Sequence, residues 1–479
     1  MSLISPISDR QDSAQIPLNK DFKFLRLGII IVLASLACLF IDRPQGLSSQ
    51  AFHMIIIFIS SMLGIMLDIC EPCALLFLSI CVASLTGIVE VKQCFSGFSN
   101  IVPWLIFSAL SLSSVMTKTT LGMRLAYLFV KLFGKNITGL SYSIIATEFL
   151  TAPVIPSNTA RGANIGLPLV TAIARYVSSN TDGVPEKSIG AYLAILYSYS
   201  NSVCSAIFIT AMISNAIIVE ILATEGIHLN WLSWCGFMVL PGICILLILP
   251  FILRILFGQN ISSLEGIRSQ AAANYKAMGK LSQPEKCILC VFSVMLLMWI
   301  FSGPLGIPII ITVLMGIVAF VMLGLLSIKE AFSSYSTLNP VIMLGILISY
   351  VNCLVSSGAI EWFNGVISSC LSGMNVDNAY YLLTIIYYFT HYFFSGEGGR
   401  IIALYSAFLT TGLALGIEPL KLGMTLAFFS STSDVLAHYT CPASITMFSP
   451  GYISAGKWLT TGLIISLIMM GIWFTYVGI

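Results

Sequence analysis

The sequence predicts an all-α polytopic membrane protein, an inverted-repeat transporter with about 11 transmembrane helices and two re-entrant hairpins. Three observations carry that expectation: an apolar composition, a short motif that recurs in both halves, and apolar runs interrupted by Pro, Gly and polar residues at matching places. Of 479 residues, 57% are hydrophobic and only 9% charged, against roughly 25% charge in soluble domains. A net charge of +2 with no basic block speaks against a nucleic-acid partner.

Residues 1–23 carry Asp9, Arg10, Asp12, Lys20, Asp21 and Lys23 without an apolar core or small-residue cleavage site, and read as a polar tail. Apolar runs long enough to span follow at 24–41, 51–69, 73–90, 189–218, 230–257, 285–302, 305–327 and 457–478. Interrupted runs lie at 104–133, 138–170, 341–370, 379–412 and 419–447. The expected organisation is a first half over 24–257 with a hairpin at 138–170, a cytoplasmic linker at 258–284, and a second half over 285–479 with a hairpin at 379–412. The thirteen cysteines are scattered in apolar sequence as small hydrophobes. The pairs Cys70 with Cys73 and Cys287 with Cys290 lack the neighbouring His or Cys that a metal or redox motif needs.

The stretch Val91-Lys92-Gln93-Cys94-Phe95-Ser96-Gly97-Phe98-Ser99, with Pro103 after it, recurs as Ile328-Lys329-Glu330-Ala331-Phe332-Ser333-Ser334-Tyr335-Ser336 with Pro340. Lys, Phe, both Ser and Pro are identical, and an internal duplication is the simplest account. With the N-terminus cytoplasmic, the spans put Arg43, Lys92 and Lys421 outside and Arg161 and Arg400 in the hairpins, leaving the other basic residues inside. The loop with Arg268, Lys276, Lys280 and Lys286 is the clearest inside marker. The halves then cross in opposite senses, which suits alternating access.

At the centre of the first hairpin lies Ala152-Pro153-Val154-Ile155-Pro156-Ser157-Asn158-Thr159-Ala160-Arg161-Gly162. Its prolines deny a continuous helix, and such a break is tolerated in a bilayer only where protein or a wet cavity surrounds it. Ser157 and Thr159 hydroxyls and the Asn158 amide can donate to a carboxylate or ligate Na⁺, and Arg161 offers a planar fork for a carboxylate. The alternative is that Ser, Asn and Thr merely cap a broken helix. In the second hairpin, Ser395-Gly396-Glu397-Gly398-Gly399-Arg400 follows His391-Tyr392-Phe393-Phe394. Its glycines permit a tight reversal, while Glu397 and Arg400 put charge at membrane depth, either for function or as a mutually neutralising pair. A second interrupted span follows each hairpin: one holds Thr210, Ala211 and Asn215, the other Asp434, His438, Thr440 and Pro442. Asp434 is a candidate cation or proton acceptor, with helix capping as its alternative. His438 is a candidate substrate donor or proton sensor, or else a satisfied structural residue, and Pro442 is expected to break its helix.

These segments, with Gly358-x-x-Glu361-Trp362-Phe363, Ala403-Leu404-Tyr405-Ser406-Ala407-Phe408-Leu409 and Gly451-Tyr452, resemble the divalent anion:sodium symporter family. The closest branch is that of the citrate/succinate antiporters and plastid 2-oxoglutarate/malate translocators, and the resemblance runs from Gln50 onward. It implies a dimeric scaffold, an elevator-like transport domain, and a di- or tricarboxylate gripped between Ser-Asn-Thr motifs with Na⁺ beside them in symporters. It points to Ser157, Asn158 and Thr159 for substrate, and with the residues read above the candidate set is Ser157, Asn158, Thr159, Arg161, Gly398, Gly399, Arg400, His438 and Thr440. The candidate ion set is Ser157, Asn158, Thr210, Ala211, Asn215 and Asp434, although the Thr210 to Asn215 segment matches the family's unwound loop only at its ends; sodium is the only metal expected, with no other cofactor. Where the family has a polar triplet in its second motif, this chain has Gly398-Gly399-Arg400, and a fixed charge on Arg400 would suit exchange better than Na⁺ symport. The expected function is therefore 2-oxoglutarate/malate-type exchange in a bacterial-type plasma membrane, by a homodimer with a cytoplasmic N-terminus. Sodium-coupled uptake and a transport-dead receptor or scaffold are the rivals. His53, His228, His391 and His438 are too dispersed to argue for an intramembrane enzyme.

Overall fold

The computed structural model describes residues 42–66, 72–180, 186–258, 264–333, 335–370, 374–394 and 396–478. The expected polar tail, the first expected span at 24–41, Cys70 and Ser395 lie outside the described residues. Among those described, every regular element is helical. Four helices are long and apolar enough to cross a membrane: Trp231–Phe257, Gln283–Ile300, Leu338–Ser356 and Ala455–Gly478. A fifth span results if Ile101–Met116 and the bent continuation Leu121–Phe133 count as one.

Several expected spans are shorter or divided. The run at 189–218 is two helices, Glu186–Ile207 and Ile213–Thr224, joined by non-helical residues 208–212. The run at 305–327 holds the end of the short helix Ser302–Leu305 and then the helix Ile309–Met322, which Pro308 precedes as N-cap and after which Gly324 turns the chain with φ +69°. Composition identifies apolar stretches, but it does not fix where the backbone breaks inside them.

The chain forms two compact units, Met1–Gly97 with Gly345–Trp362, and Phe98–Leu344 with Phe363–Ile479. In the first, Leu47, Ala51 and Ala359 form a small core flanked by Phe52, Ile55, Leu354 and Trp362. Ser48 Oγ donates to the Ser357 carbonyl at 2.9 Å, and Trp362 Nε1 to that of Gln45 at 3.0 Å. Gly97 allows a close crossing: its N–H donates to Ser349 Oγ at 2.9 Å, and a Cβ there would lie 2.1 Å from the Gly345 carbonyl oxygen.

The second unit is organised around two segments with almost no solvent contact, Ile189–Met212 and Leu422–Ala437, whose residues are all buried. A helix buried all round is normally apolar, yet these contain Ser198, Ser200, Asn201, Ser202, Ser205, Ser430, Ser431, Thr432 and Ser433. The polar groups are satisfied locally or by neighbours: Ser200 Oγ donates to the Leu196 carbonyl, Ser198 and Ser444 hydroxyls pair at 3.0 Å, and Tyr387 and Ser430 hydroxyls pair at 2.7 Å. This internal polarity lets the surrounding helix breaks be stabilised without water.

The helix Ala455–Gly478 packs on the second buried segment through Gly462, where a Cβ would fall 2.2 Å from the Val435 carbonyl oxygen. Backbone cannot yield as a flexible side chain does. Gly462→Ala is expected to destabilise the protein by about 1–3 kcal/mol, seen as a lower thermal-unfolding midpoint in detergent. Gly471→Ala, on the same helix with open space at its Cβ position, is the control expected to leave the midpoint unchanged.

Candidate functional site

Both expected hairpins contain a helix, a break and a second helix. In the first, Ile137–Thr151 is N-capped by Asn136, whose side chain accepts from the Gly139 N–H. Pro153 and Pro156 lie in the turn after it, and Ser157 caps the short helix Asn158–Arg161 by accepting from the Ala160 N–H at 3.2 Å. A π-helical turn, Gly162–Gly166, leads into Leu167–Asn180. In the second, Val376–Phe389 and the turn Thr390–Phe393 precede the short helix Glu397–Arg400, a π-helical turn Ile401–Tyr405 and Ser406–Ala414. The tips are built alike, and the same separation of 239 residues relates Asn158 to Glu397 and Arg161 to Arg400. Single π-helical turns inside helices often mark functional sites.

Arg161 was expected to offer its fork to a carboxylate from outside, and the structure places it differently. It is fully buried, with Nε donating to Glu148 Oε1 at 2.6 Å, Nη1 to the Ile155 and Ala211 carbonyls at 2.6 Å each, and Nη2 to Ser205 Oγ at 2.7 Å. Glu148 also accepts from the Tyr197 hydroxyl at 2.6 Å and Asn201 Nδ2 at 2.8 Å. Gly166 allows Tyr197 this approach, since a Cβ there would lie 2.3 Å from the ring. The guanidinium thus satisfies carbonyls freed by two helix breaks, and Glu148 balances its charge.

Arg400 is equally buried and likewise directed inward. Nη1 donates to the Tyr387 carbonyl at 3.0 Å, and Nη2 to the Ser430 carbonyl at 2.9 Å and Ser433 Oγ at 2.8 Å. Its guanidinium lies over the Tyr387 ring, 4.6 Å from the centroid. No carboxylate forms an ion pair with Arg400 among the described residues, so the alternative of a Glu397–Arg400 pair is not what the geometry shows. The positive charge of the second tip is left without a contacting counter-ion.

The tips meet. Asn158 Nδ2 lies 3.4 Å from Glu397 Oε1 and 3.5 Å from Cys441 Sγ, and Ser214 Oγ donates to Glu397 Oε1 at 3.2 Å. Glu397 and Asp434 each bring a carboxylate oxygen, and Cys441 its sulfur, within 4.8 Å of one another. His391 Nε2 is 2.9 Å from Asp434 Oδ1. Gly398 and Gly399 are half-buried beside this contact; a Cβ on Gly399 would meet nothing within 4 Å, and one on Gly398 only Ser214 Oγ at 4.0 Å.

Other expected residues divide by whether their polar groups remain available. Ser157 Oγ accepts from the Ala160 N–H, so its own hydrogen is free to donate; the Thr159 hydroxyl has only a long 3.4 Å contact to Asn158 Oδ1. Thr210 donates to the Pro153 carbonyl at 3.0 Å and accepts from Trp231 Nε1 at 3.2 Å. The Ala211 carbonyl is taken by Arg161, and Asn215 Nδ2 donates to the Ser205 and Phe208 carbonyls at 2.8 and 3.0 Å. A sodium ion held by Thr210, Ala211 and Asn215 would share oxygens that each accept one protein donor: Thr210 Oγ1 from Trp231, the Ala211 carbonyl from Arg161 and Asn215 Oδ1 from Ser431 at 3.5 Å. Thr440 turns back onto the Ala437 carbonyl at 2.8 Å. His438 stacks on Phe448 with centroids 4.0 Å apart and is not joined to the tips by any described hydrogen bond. Pro442 starts the helix Pro442–Phe448 at a position that needs no N–H; the break is the preceding 436–441.

Glu397 was expected only as a charge at membrane depth; Glu148, His391 and Cys441 were not among the expected site residues. Glu148 had a signal in the sequence, an acid inside an apolar arm. Cys441 had none, since one more cysteine in apolar sequence is unremarkable.

Comparison with known proteins agrees with this architecture. The description "Sodium:sulfate symporter transmembrane region" matches residues 22–479. YflS of Bacillus subtilis (strain 168), whose assigned name proposes malate transport, is 33% identical over 455 residues, covering 94% of this chain and 95% of that one. Dicarboxylate transporter 1 of spinach (Spinacia oleracea) chloroplasts is 28% identical over 94% of this chain and 79% of its own. The citrate/succinate antiporter of Escherichia coli (strain K12) is 26% identical over 89% of this chain and 92% of its own. The YdaH transporter of Alcanivorax borkumensis shares the fold, with a TM-score of 0.53 at 12% identity over 96% of this chain and 98% of that one.

The buried Arg161–Glu148 pair gives a direct test of the first tip. Glu148→Ala leaves a guanidinium without its carboxylate and is expected to cost about 3–5 kcal/mol, measured by unfolding in detergent. Adding Arg161→Leu is expected to recover part of that loss, whereas simple addition of the two single losses would show that the pair is not coupled.

Proposed function

This chain belongs to the sodium:sulfate symporter transmembrane region family, and from that premise we propose that it is a secondary active carrier exchanging small dicarboxylates of the 2-oxoglutarate and malate kind. The observation that carries the exchange reading is the pair of buried arginines, each fixed behind a tip and bonded to the carbonyls of broken helices. Glu148 balances Arg161, but Arg400, which no acid contacts, is a permanent cation where a sodium-coupled carrier needs a cation that comes and goes.

The substrate is bound by electrostatics and hydrogen bonds, with no covalent step, and the protein is not an enzyme. At the first tip, the Ser157 hydroxyl, the Thr159 hydroxyl and the Asn158 amide are the donors to one carboxylate. At the second, the open space beside Gly398 and Gly399 admits the other carboxylate, drawn by Arg400, whose charge no contacting acid cancels. The attraction is large because the surroundings are dry and low in dielectric. Alternating access then carries the cradle across the membrane, the halves acting as inverted repeats and the re-entrant hairpins moving with the substrate. We place the protein in the plasma membrane, as a homodimer with a cytoplasmic N-terminus.

Sodium-coupled symport remains the second reading, favoured by the family's name. Counterflow of labelled 2-oxoglutarate in proteoliposomes separates the alternatives. Equal rates in sodium and in choline, and dependence on internal dicarboxylate, are the expected results. A rate that collapses without sodium contradicts exchange, and no counterflow in either salt leaves a scaffold. Arg400→Ala is expected to lower the rate at least about tenfold, equivalent to 1.4 kcal/mol of lost stabilisation; unchanged flux would remove Arg400 from the account.

A further inference from the structure

A cavity of about 300 Å³ lies between the helices Ile101–Thr117, Ile213–Thr224, Gln283–Ile300 and Ile309–Met322, a volume in the range of small-molecule sites. Its walls are mostly apolar and include Pro156, Thr210 and Met212, so an occupant touches the first tip and the break beside it. No Lys or Arg lines it, and an anion would find no fixed positive charge there.

Two polar side chains in this cavity lack partners. Trp299 is 2% exposed, and its indole N–H finds no acceptor among the described residues. A buried donor left unpaired is costly and calls for an acceptor that the protein does not supply. Glu220 is half-buried, and no described cation pairs with it. At the rim, Asn230 Oδ1 accepts from the Ser233 N–H at 2.9 Å, which leaves the amide Nδ2 to donate. His228 is exposed on the same loop.

The complementary molecule has an apolar body, an acceptor oxygen for the indole and a hydrogen-bonding cation for the carboxylate. A bilayer holds such a molecule. Ile101 lines the cavity and is itself 37% exposed, so the apolar wall reaches the surface that faces lipid. Trp299 is the penultimate residue of the spanning helix Gln283–Ile300, and tryptophan at the end of a span sits at the level of lipid headgroups. An ethanolamine headgroup carries three N–H donors for a carboxylate, whereas a choline headgroup carries none.

We propose that this cavity binds an ethanolamine phospholipid. An acyl chain fills the apolar space, an ester carbonyl accepts from Trp299 Nε1, the phosphate meets Asn230 and His228, and the ammonium pairs with Glu220. The site requires only that the chain lie in a membrane, and it stands whether or not the carrier reading holds.

Native mass spectrometry of the full-length protein in detergent, titrated with dioleoyl phosphatidylethanolamine, phosphatidylcholine or phosphatidylglycerol, tests the assignment. One phosphatidylethanolamine is expected to be retained per chain, about fivefold more tightly than either of the others. Glu220→Gln is expected to abolish the preference over phosphatidylcholine, and Trp299→Phe to weaken both lipids alike. Glu220→Gln, nearly identical in size, keeps the test decisive if Trp299→Phe fails to fold. Phosphatidylethanolamine with a diazirine on its acyl chain, irradiated in nanodiscs, is expected to label peptides within 101–113, 209–223 or 299–313. Equal retention of the three lipids, a preference for phosphatidylglycerol, a preference that survives Glu220→Gln, or labelling confined to other peptides overturns the proposal. Dodecylamine binding that Glu220→Gln weakens, with no phosphatidylethanolamine retained, assigns the cavity to a soluble amine and overturns the lipid.

Discussion

A broken helix inside a membrane leaves carbonyl oxygens that neither water nor the next helical turn can satisfy, and this constraint shapes the second unit. The chain meets it twice with a buried guanidinium. Arg161 bridges the Ile155 and Ala211 carbonyls, tying the first tip to the break that follows the helix Glu186–Ile207. Arg400 bridges the Tyr387 and Ser430 carbonyls, tying the second tip's arm to the other buried segment. The planar fork makes this economical, since one side chain supplies five donors in fixed directions.

The two solutions differ in how the charge is balanced. Glu148 contacts Arg161 and makes the first tip a neutral, closed network extended by Tyr197 and Asn201. Arg400 has the face of Tyr387 instead of a carboxylate, and the nearby acids, Glu397 and Asp434, face one another and the first tip. The first side is therefore a closed, charge-balanced network, while the second keeps a positive charge that no contacting acid cancels. That asymmetry within a duplicated frame is what gives the joined tips a chemical direction.

Much of the frame was legible in the sequence, because composition and interrupted apolar runs report directly on what a bilayer tolerates. The Pro153 to Arg161 break, the glycine-rich second tip and their likeness of construction all followed from residue type. What each charged side chain faces did not. Arg161 and Glu148 are separated by a break whose turn decides whether the guanidinium points outward or back, and that turn depends on the Ala211 carbonyl 50 residues away. Asp434 and Glu397 were visible singly, but their approach depends on how the second tip packs against Ser214 and Cys441. Pro442 misled for a simpler reason: proline marks a helix boundary without saying which side of it is helical.

The central claim is that Asn158 of the first tip meets the broken segments of the second half, and a cysteine placed there tests it against the native Cys441 in the break before Pro442, whose sulfur lies 3.5 Å from the Asn158 amide nitrogen. With the other cysteines replaced, Asn158→Cys in native membranes is expected to join Cys441 under mild oxidation or with a short bis-thiol reagent. The product is detected as a linked peptide by mass spectrometry and is slowed by saturating 2-oxoglutarate. Free, separately alkylated thiols at both positions under the same treatment would contradict the account.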